Sequence, residues 1–490
     1  MAKRLAGRTV TAMSWHISVG SVTAVLLLIR TTLLTRWVSP VHFGTYTLAY
    51  AIVAGSSILA NFGLAKAFLH RAPESHDEDQ AAATHFTLQA ALAGIWCALL
   101  IACTLLFAEG ALRTALLVIT PAVFGILLTE TPRYVLIRRV VHRRLAILAF
   151  SNIILTTGVA LPLAWQGAGL WALLVTDVVS LMVHVIVLFG WRPVWKPRLG
   201  WSPRSVRYFL RFGSKNMLAD LSAQLIDRLD DIWTGVYLGS TPLGYYSRAY
   251  AFAGHPRRLL SGPIQAVAGG TYAELKGDRA RLSQAFFRVN AMLVRAGFLV
   301  AGMLYLIMPE FIHLFLTETW RSILPAFRLL LIFMLLDPIR RTVADLYVAV
   351  GRPGRIVQAY AIQLVVLLTG LYALGSLWGI AGVAIAVDVM LVAGVAFLLR
   401  GARRYVDYSL RRLLLIPALA LACAIAIPYL AFWLSGAPDN PWLSALSKLL
   451  LSGGAYLSVL LPLERNEARR MLSAIRGALG REDVQGSVVE

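Results

Sequence analysis

The chain of 490 residues is 58% hydrophobic and 14% charged, with a formal net charge of +21. Soluble domains contain roughly 25% charged residues, so this composition excludes a soluble globular protein and indicates a polytopic membrane protein. Membrane topology explains most of the basic excess better than nucleic-acid binding does, and Cys97, Cys103 and Cys423 show neither metal spacing nor a disulfide pattern.

Apolar runs predict an all-α integral membrane protein with about fourteen transmembrane helices, since about 20 apolar residues cross a bilayer. The predicted spans are approximately 12–36, 45–69, 84–107, 113–136, 147–165, 168–190, 206–237, 244–272, 286–308, 323–349, 356–376, 379–400, 413–434 and 442–463. Alternate connecting segments hold nearly all the Lys and Arg outside the spans, and the other segments contain only Arg321. Because basic residues accumulate in cytoplasmic loops, we expect both termini to be cytoplasmic.

A repeated phrase divides the chain into two halves. Residues 44–51 read GTYTLAYA and residues 244–251 read GYYSRAYA. Because six predicted spans separate the copies, we predict two parallel six-helix lobes around a central cavity. The expected units are an N-terminal lobe (1–190), an inter-lobe linker (191–205), a C-terminal lobe (206–400), accessory helices (401–463) and a cytoplasmic tail (464–490). The linker is rich in Trp and Pro and is interpreted as an extended hinge.

A fainter echo of the repeat lies further along each half. The pattern Glu130-x-x-Arg133 in the fourth predicted span corresponds to Asp337-x-x-Arg340 in the tenth. The same helix also places Asp337, Arg341 and Asp345 at four-residue spacing. This spacing predicts a structural ion cluster in which the arginine pairs with both carboxylates.

Charged residues inside the other spans indicate a cavity, because a charge at the centre of a membrane helix costs about 2.5 to 3.5 kcal/mol on insertion scales. The seventh span carries a polar stripe at spacings of three and four: Asn216, Asp220, Gln224, Asp227 and Asp231, flanked by Lys215 and Arg228. We interpret the stripe as cavity lining, and the alternative is an ion-pair seam against another helix. Further basic candidates for the cavity are Arg30, Lys66, Arg248, His255 and Arg257.

A cavity lined by guanidinium and ammonium groups suits an anionic head group, since the arginine fork donates paired hydrogen bonds to phosphate. Asp220, Asp227 and Asp231 would then balance charge or bind a coupling cation such as a proton or sodium. The loops are too short for a catalytic domain, and the sequence contains no ATP-binding or metal-binding motif. We therefore expect a transporter without a cofactor rather than an enzyme.

Several local motifs resemble one known family. They are the segment Ser39–Tyr46, the run beginning Asn61-Phe-Gly-Leu, the run Asp227-Arg-Leu-Asp230, and Gly244-Tyr-Tyr. Together with the span count and the lobe repeat, they resemble the polysaccharide transporter family of Wzx-type lipid-linked oligosaccharide flippases, in its exopolysaccharide, colanic-acid-like branch. That family belongs to the multidrug/oligosaccharidyl-lipid/polysaccharide exporter superfamily.

The resemblance implies a flippase of the bacterial cytoplasmic membrane that moves undecaprenyl-diphosphate-linked oligosaccharide by alternating access, for exopolysaccharide or lipopolysaccharide synthesis. It implies that Arg30 and Arg248 are cavity arginines, with Lys66 a weaker match. Membrane lipids, a polysaccharide polymerase and export machinery are the expected partners. Two alternatives stay open at this point: a drug/cation antiporter of the related multidrug extruder family, and a membrane glycan polymerase.

Overall fold

A computed structural model of the chain describes residues 23, 25–71, 78–139, 141–436 and 438–464, without the side chains of residues 142, 215, 216, 218, 219 and 256–267. The described residues form helices and connecting turns, with no β-strand among them. The all-α prediction is confirmed. Much of the predicted first span and nearly all of the predicted tail lie outside the described residues.

The N-terminal half contains eight helices in the described range. They are α1 (25–37), α2 (Pro40–Asn61), α3 (Leu64–His70), α4 (Glu78–Phe107), α5 (Gly110–Leu128), α6 (Glu130–Arg138), α7 (His142–Trp165) and α8 (Leu170–Val185, extended by the wider turn Ile186–Gly190). The second predicted span is broken between α2 and α3, where Phe62 and Gly63 have φ of 44° and 68°. Such left-handed backbone ends a helix, and glycine adopts it without strain.

The C-terminal half begins with a helix of 31 residues. Its helices are α9 (Pro203–Trp233, extended by Thr234–Leu238), α10 (Ser240–Leu275), α11 (Arg279–Phe315), α12 (Leu324–Ala349), α13 (Gly354–Gly370, extended by Leu371–Gly375) and α14 (Ser376–Ala402). The short turn Glu318–Ile323 precedes α12. Two further helices follow, α15 (Ile416–Ser435, entered through the wider turn Arg411–Leu415) and α16 (Pro441–Leu463).

Ten helices of the described chain are long and apolar enough to cross a membrane. The continuous run Gly354–Ala402 counts once, although its backbone breaks at Trp378 and at Gly379, where φ is 55°. The helices α9 and α10 are too polar to be among these ten, and α1 is described only in part. The protein is therefore a multi-pass membrane protein, and the count of fourteen stays a prediction.

The accessory helices are fastened to the C-terminal lobe by charge as well as by packing. Lys448 of α16 pairs with Glu310 of α11, and Glu464, just beyond α16, pairs through both carboxylate oxygens with Arg295 of α11. Both members of the second pair are buried, with exposed fractions of 8%. Because a buried charge without its partner is strongly destabilising, these two pairs fix α16 along α11.

The linker packs on the N-terminal lobe. Trp195 is buried and its ring contacts Phe86 of α4, and the backbone N–H of Gly200 donates to Thr87 of α4 at 3.0 Å. A hinge over the whole of 191–205 would require these contacts to break. The first turns of α9 also pack on this lobe, since Phe209 is buried against Phe68 and His85.

Candidate functional site

The two copies of the repeat cross each other where α2 and α10 begin. A Cβ atom added to Gly44 would overlap the carbonyl oxygen of Ser240, and one added to Gly244 would overlap that of Pro40. The offset of 200 residues that relates the glycines also relates Pro40 to Ser240, so the contact is reciprocal, as across a twofold axis. Only glycine lets the two helix backbones approach this closely. This crossing joins the lobes at the end that the charge distribution places outside.

The lobes also meet at the opposite end of α2. A Cβ atom on Gly213 of α9 would overlap the carbonyl oxygen of Phe62, and Lys66 of α3 forms an ion pair with Asp220 of α9. Gln224 of α9 donates to the backbone carbonyl of Ala54 at 3.2 Å. The part of the polar stripe that contains Asp220 and Gln224 therefore packs in a seam between the lobes. The side chain of Asn216 lies outside the described residues.

A polar centre lies in the N-terminal lobe between these two crossings. Arg30 of α1 donates to the hydroxyl of Thr156 on α7 at 3.1 Å. Tyr46, from the repeated phrase, donates to Asp177 of α8 at 3.1 Å. The charge of Arg30 acts on this Tyr46–Asp177 pair. The guanidinium therefore lies near a partly buried carboxylate that Tyr46 already engages.

The equivalent centre of the C-terminal lobe has a different charge. Tyr246, the second copy of the repeated tyrosine, donates to Asp230 of α9 at 2.6 Å. Asp230 stands 200 positions after Arg30, so a carboxylate replaces the guanidinium. Asp388 lies on α14, the last helix of its lobe, as Asp177 lies on α8. This lobe therefore contains buried carboxylates where the other lobe contains an arginine and an aspartate.

A small cavity of about 20 Å³ opens beside these carboxylates, with room for one water-sized ion. Its polar lining is Asp227, Asp230, Arg340 and Gln363. The amide of Gln363 forms no hydrogen bond with a described side chain. The same is true of both oxygens of Asp388, the neighbour in sequence of the lining residue Val387. Oxygen donors of this kind suit hard cations. No metal-binding group of three His, Cys, Asp or Glu exists in the described range.

Three predicted cavity residues of α9 and α10 contact the opposite lobe. The guanidinium carbon of Arg248 lies 4.2 Å from the ring centroid of Phe43, and that of Arg228 lies 5.2 Å from the centroid of Tyr50. His255 lies 3.1 Å from the hydroxyl of Thr31.

The arginines of this seam have unmet bonding capacity. The Nε atoms of Arg228 and Arg248 are buried and have no hydrogen-bond partner among the described residues. Arg30 is close enough to Arg248 for their like charges to repel. The seam therefore gathers positive charge from both lobes.

The predicted coupling aspartates have separate surroundings. Asp220 is engaged by Lys66, and Asp231 lies 3.7 Å from Arg228. Of the three, Asp227 lines the small cavity. The predicted residues Lys215 and Arg257 have side chains outside the described residues.

The ion cluster of α12 differs in one respect from the expected one. Arg341 pairs with Asp337 at 2.8 Å, and the neighbouring Arg340 pairs with the same carboxylate at 2.6 Å. Within the described chain Arg341 forms no ion pair with Asp345, because Asp337 already holds its guanidinium. The corresponding pattern in the N-terminal lobe forms a similar pair, since Arg133 pairs with Glu130 at 2.8 Å in the same i,i+3 arrangement as Arg340 and Asp337.

Sequence reasoning missed Asp177, Gln363 and Asp388. Each is an isolated polar residue in an apolar span, so no periodicity marks it. The signal available was the repeat itself, because Asp177 and Asp388 occupy corresponding last spans of the two halves.

Comparison with known proteins places this architecture. Residues 33–325 match the family described as "Polysaccharide biosynthesis protein". The chain belongs to this family. The match runs from within α1 to the start of α12, so it includes both copies of the repeat and the contacts that α2 and α3 make with α9 and α10, while Arg30 and Thr31 precede it. The resemblance inferred from the sequence is confirmed.

Two curated members of similar character match over large parts of the chain. "Lipopolysaccharide biosynthesis protein WzxC" of Escherichia coli (strain K12) is 25% identical over 357 residues, covering 70% of each chain. "Succinoglycan biosynthesis transport protein ExoT" of Rhizobium meliloti (strain 1021) is 26% identical over 294 residues, covering 58% of each chain.

Two solved structures share the family's fold. "Lipid II flippase MurJ, inward closed conformation" aligns with a TM-score of 0.72 at 14% identity, over 92% of this chain and 99% of that one. A multidrug resistance MATE family transporter in an inward-facing conformation aligns with a TM-score of 0.60 at 17% identity, over 78% and 94%. At these identities the likeness establishes the fold, which is that of an all-helical membrane transporter.

Proposed function

We propose that this protein flips oligosaccharide repeat units, linked to undecaprenyl diphosphate, from the inner to the outer leaflet of a bacterial cytoplasmic membrane. Arg248 of α10 and Arg228 of α9 carry the proposal, with Arg30 of α1 on the facing lobe, because the first two reach aromatic rings of the N-terminal lobe and their buried Nε atoms have no hydrogen-bond partner among the described residues. Like charges in a low-dielectric interior repel strongly and call for an anion between them. A diphosphate meets this need with oxygens that match the guanidinium fork. Family membership and the names of the relatives support the same substrate class.

Alternating access at the two inter-lobe crossings would move the substrate. The Gly44–Gly244 crossing closes one end of the seam, and Gly213 with the Lys66–Asp220 pair closes the other. Opening one crossing at a time would expose the arginines to one leaflet and then to the other. The glycan would travel through this polar seam while the polyprenyl tail stays in lipid.

The membrane potential favours the outward direction. A diphosphate with about two negative charges gains roughly 2.3 kcal/mol per charge for each 100 mV of inside-negative potential. The proposed step therefore needs no nucleotide hydrolysis and no catalytic step by the chain itself. A cytoplasmic location of both termini accords with the distribution of Lys and Arg. A polymerase and export machinery would then use the delivered repeat units on the outer side.

A cation pocket in the C-terminal lobe would return the transporter to its starting state. Asp230, Asp388 and Gln363 present buried oxygens that accept no hydrogen bond from a described side chain, apart from the one that Tyr246 donates to Asp230, and the guanidinium of the lining residue Arg340 is paired with Asp337. We propose that a proton or a sodium ion binds there and couples its inward gradient to the closing of one crossing. Asp227, which lines the same cavity, contributes further negative charge.

Complementation of a deletion strain tests the head-group site. Deletion should trap undecaprenyl-linked repeat units on the inner leaflet, and the wild-type gene should release them. Arg248→Glu should reach the membrane and fail to restore export, because it places negative charge where the diphosphate binds, and Arg30→Glu should also fail to restore export. Arg352→Glu, on an exposed turn, is the matched control and should restore it. Full rescue by both reversed variants would refute the site.

The same strain separates the flippase from a drug/cation antiporter, which the MATE-like fold keeps as an alternative. An antiporter deletion would leave repeat units on the outer leaflet as in the wild type and would raise sensitivity to cationic drugs. Guanidinium groups repel such cations, so we expect unchanged drug sensitivity.

Ion dependence in proteoliposomes tests the cation pocket. Asp230→Asn and Asp388→Asn should abolish the dependence of flipping on a proton or sodium gradient. Asp345→Asn changes a carboxylate of α12 outside the pocket lining and should keep it. If both pocket variants flip with unaltered rate and ion dependence, coupling occurs elsewhere.

A further inference from the structure

The segment between α14 and α15 forms a basic surface that the flipping mechanism does not use. Residues 403–412, called here the arginine loop, contain four exposed arginines: Arg403, Arg404, Arg411 and Arg412. Its one acidic residue is Asp407. Cytoplasmic topology explains why arginines occur here, but it does not require the loop to have a fixed shape.

A clamp on α11 holds the arginine loop in one conformation. Arg279 donates to both carboxylate oxygens of Asp407, at 3.1 and 2.7 Å. It also donates to the backbone carbonyls of Arg403 and Arg404, at 3.1 and 3.4 Å. The backbone N–H of Asp407 donates to Ser283 of α11 at 2.8 Å. The single carboxylate of the loop is thus consumed by the clamp and does not neutralise the four exposed arginines.

Apolar side chains root the same loop in the lobe. Val406 is fully buried in the core beside α11 and α14. Tyr408 donates to the backbone carbonyl of Leu399 at 2.6 Å and packs against Phe286. Val406 is buried and Tyr408 packs inward, while the exposed Asp407 is held by the Arg279 clamp, so the four arginines extend from a backbone that is held in place. Their positions are therefore set before any ligand arrives, which reduces the ordering cost of binding.

Exposed leucines follow the arginines on α15 and the turn that enters it. Leu415 and Leu419, one and two turns beyond Arg411 on the same helix, have exposed fractions of 43% and 50%. In a membrane these leucines face acyl chains, so Arg411 and Arg412 stand at the level of the lipid phosphates. Planar guanidinium groups bind phosphate oxygens in pairs, and basic pockets between helices at the cytoplasmic surface bind anionic lipid head groups.

We propose that the arginine loop is a binding site for the phosphate group of a membrane lipid on the cytoplasmic face. The site is separate from the inter-lobe seam and does not depend on the flippase assignment. By holding a lipid between α11 and the start of α15, it would fix the accessory helices to the lobe at this surface. The ligand chemistry is a lipid phosphate ester, whether of a bulk anionic lipid or of a prenyl phosphate.

Native mass spectrometry of the full chain with added dioleoyl-phosphatidylglycerol tests the proposal. Arg411→Gln/Arg412→Gln should weaken binding roughly thirtyfold, at about 1 kcal/mol for each basic residue near the surface. The matched control Lys276→Gln/Arg352→Gln removes the same charge from other exposed cytoplasmic positions and should change binding less than about threefold. An equal loss in both pairs would overturn the site, because bulk charge would then explain binding.

Asp407→Asn separates arrangement from charge. This variant removes the negative charge of the loop, so the net charge of the loop rises by one. It also weakens the Arg279 clamp, so it should bind phosphatidylglycerol several-fold more weakly than the wild type. Equal or tighter binding would overturn the proposal, because net charge alone predicts that result.

Two further probes identify the source of the phosphate. Inorganic pyrophosphate should fail to displace phosphatidylglycerol, and full displacement at equal concentration would overturn the lipid assignment. Undecaprenyl phosphate binding at least as tightly as phosphatidylglycerol, with the same loss in Arg411→Gln/Arg412→Gln, would support the site and name a prenyl lipid as its occupant. Binding of phosphatidylglycerol alone would support it with a bulk lipid as the occupant.

Discussion

The two lobes place the same tyrosine beside opposite charges. In the N-terminal lobe Tyr46 bonds to Asp177, with Arg30 nearby as a fixed cation. In the C-terminal lobe Tyr246 bonds to Asp230, the positional equivalent of Arg30, and the cavity beside it is lined by a second carboxylate, Asp227, and by Arg340, which is paired with Asp337. The tyrosine-bound carboxylate therefore has an arginine from α1 near it in one lobe and a second aspartate of α9 near it in the other. The two halves share a duplicated scaffold, and they differ in charge at one equivalent position, which is Arg30 in the first half and Asp230 in the second.

We expect the largest effect when Arg30 of the N-terminal lobe is replaced by aspartate, the residue at the equivalent position of the C-terminal lobe. Arg30→Asp would place a second carboxylate near Asp177 inside the membrane. Removing one partner of a buried ionic arrangement costs about 3 to 5 kcal/mol, so we expect a large loss of thermal stability and no flipping.

Thermal unfolding in detergent and export in the deletion strain measure this effect. Arg352→Asp, at an exposed turn, should behave as the wild type. Near-wild-type stability of Arg30→Asp would show that Arg30 is not the counter-ion of Asp177.

The reverse change sharpens the comparison. Asp230→Arg would supply the C-terminal lobe with a fixed cation beside Tyr246 and Asp388. A cation present at a hundred times its dissociation constant stabilises the wild type by about 2.7 kcal/mol. In the variant this cation-dependent rise in the unfolding temperature should disappear.

Asp230→Asn serves as the companion variant, because it removes a pocket oxygen charge without adding volume. It should also lose the cation-dependent rise. If both variants still respond to sodium or pH as the wild type does, the asymmetry between the lobes does not create a cation site.

The symmetric part of the structure responds to a smaller change. Gly44→Ala would push a methyl group against the carbonyl oxygen of Ser240, and overpacking of this kind costs about 1 to 3 kcal/mol. We expect slower flipping because the outer crossing closes less completely. Gly244→Ala should have a similar effect, since the contact is reciprocal.

Gly55→Ala is the internal control on the same helix. No atom lies within 4 Å of a Cβ at Gly55, so this variant should be neutral or more stable by about 0.5 to 1 kcal/mol. Equal slowing by Gly44→Ala and Gly55→Ala in the flipping assay would mean that the crossing is not the moving contact.

The smallest expected effect concerns the exposed surface pair of Arg279 and Asp407. The Arg279 guanidinium holds the pKa of the Asp407 carboxyl below its usual range. A lowered native pKa stabilises the fold at pH values above the ordinary carboxyl pKa, and this stability is lost as the pH falls through the lowered value. Asp407→Asn should therefore unfold slightly earlier than the wild type at neutral pH, and the difference should vanish at acid pH.

Unfolding temperatures across this pH range measure the effect, with Asp439→Asn at another exposed position as the control. A constant difference between Asp407→Asn and the wild type at every pH would contradict an electrostatic origin.

The repeat and the hydrophobic runs predicted the architecture because both are written along the chain. Gly44 and Gly244 identified α2 and α10 as equivalent helices, and the structure places them against each other. The break between α2 and α3 was not anticipated, because Phe62 and Gly63 lie inside an otherwise continuous apolar run. Its cause is a left-handed backbone turn, which hydrophobicity does not report.

The candidate site was predictable only where polar residues recur at helical spacing. Asp220 and Gln224 were found this way, although their contacts make a seam rather than an open lining. Asp388 and Gln363 gain their importance from residues of other helices that surround them. No single-helix pattern contains that information, and here the comparison of equivalent positions in the two halves was needed.

The reciprocal crossing at Gly44 and Gly244 has a consequence for the origin of the chain. A contact in which each half offers the same surface to the other is the kind that identical subunits make in a symmetric dimer. In a dimer of two identical six-helix chains in parallel orientation, the same glycine of each chain would have formed this contact. Fusion of two such subunits would keep the contact between the glycines while each half diverged in sequence. Arginine at position 30 and aspartate at the equivalent position 230 are an example of such divergence.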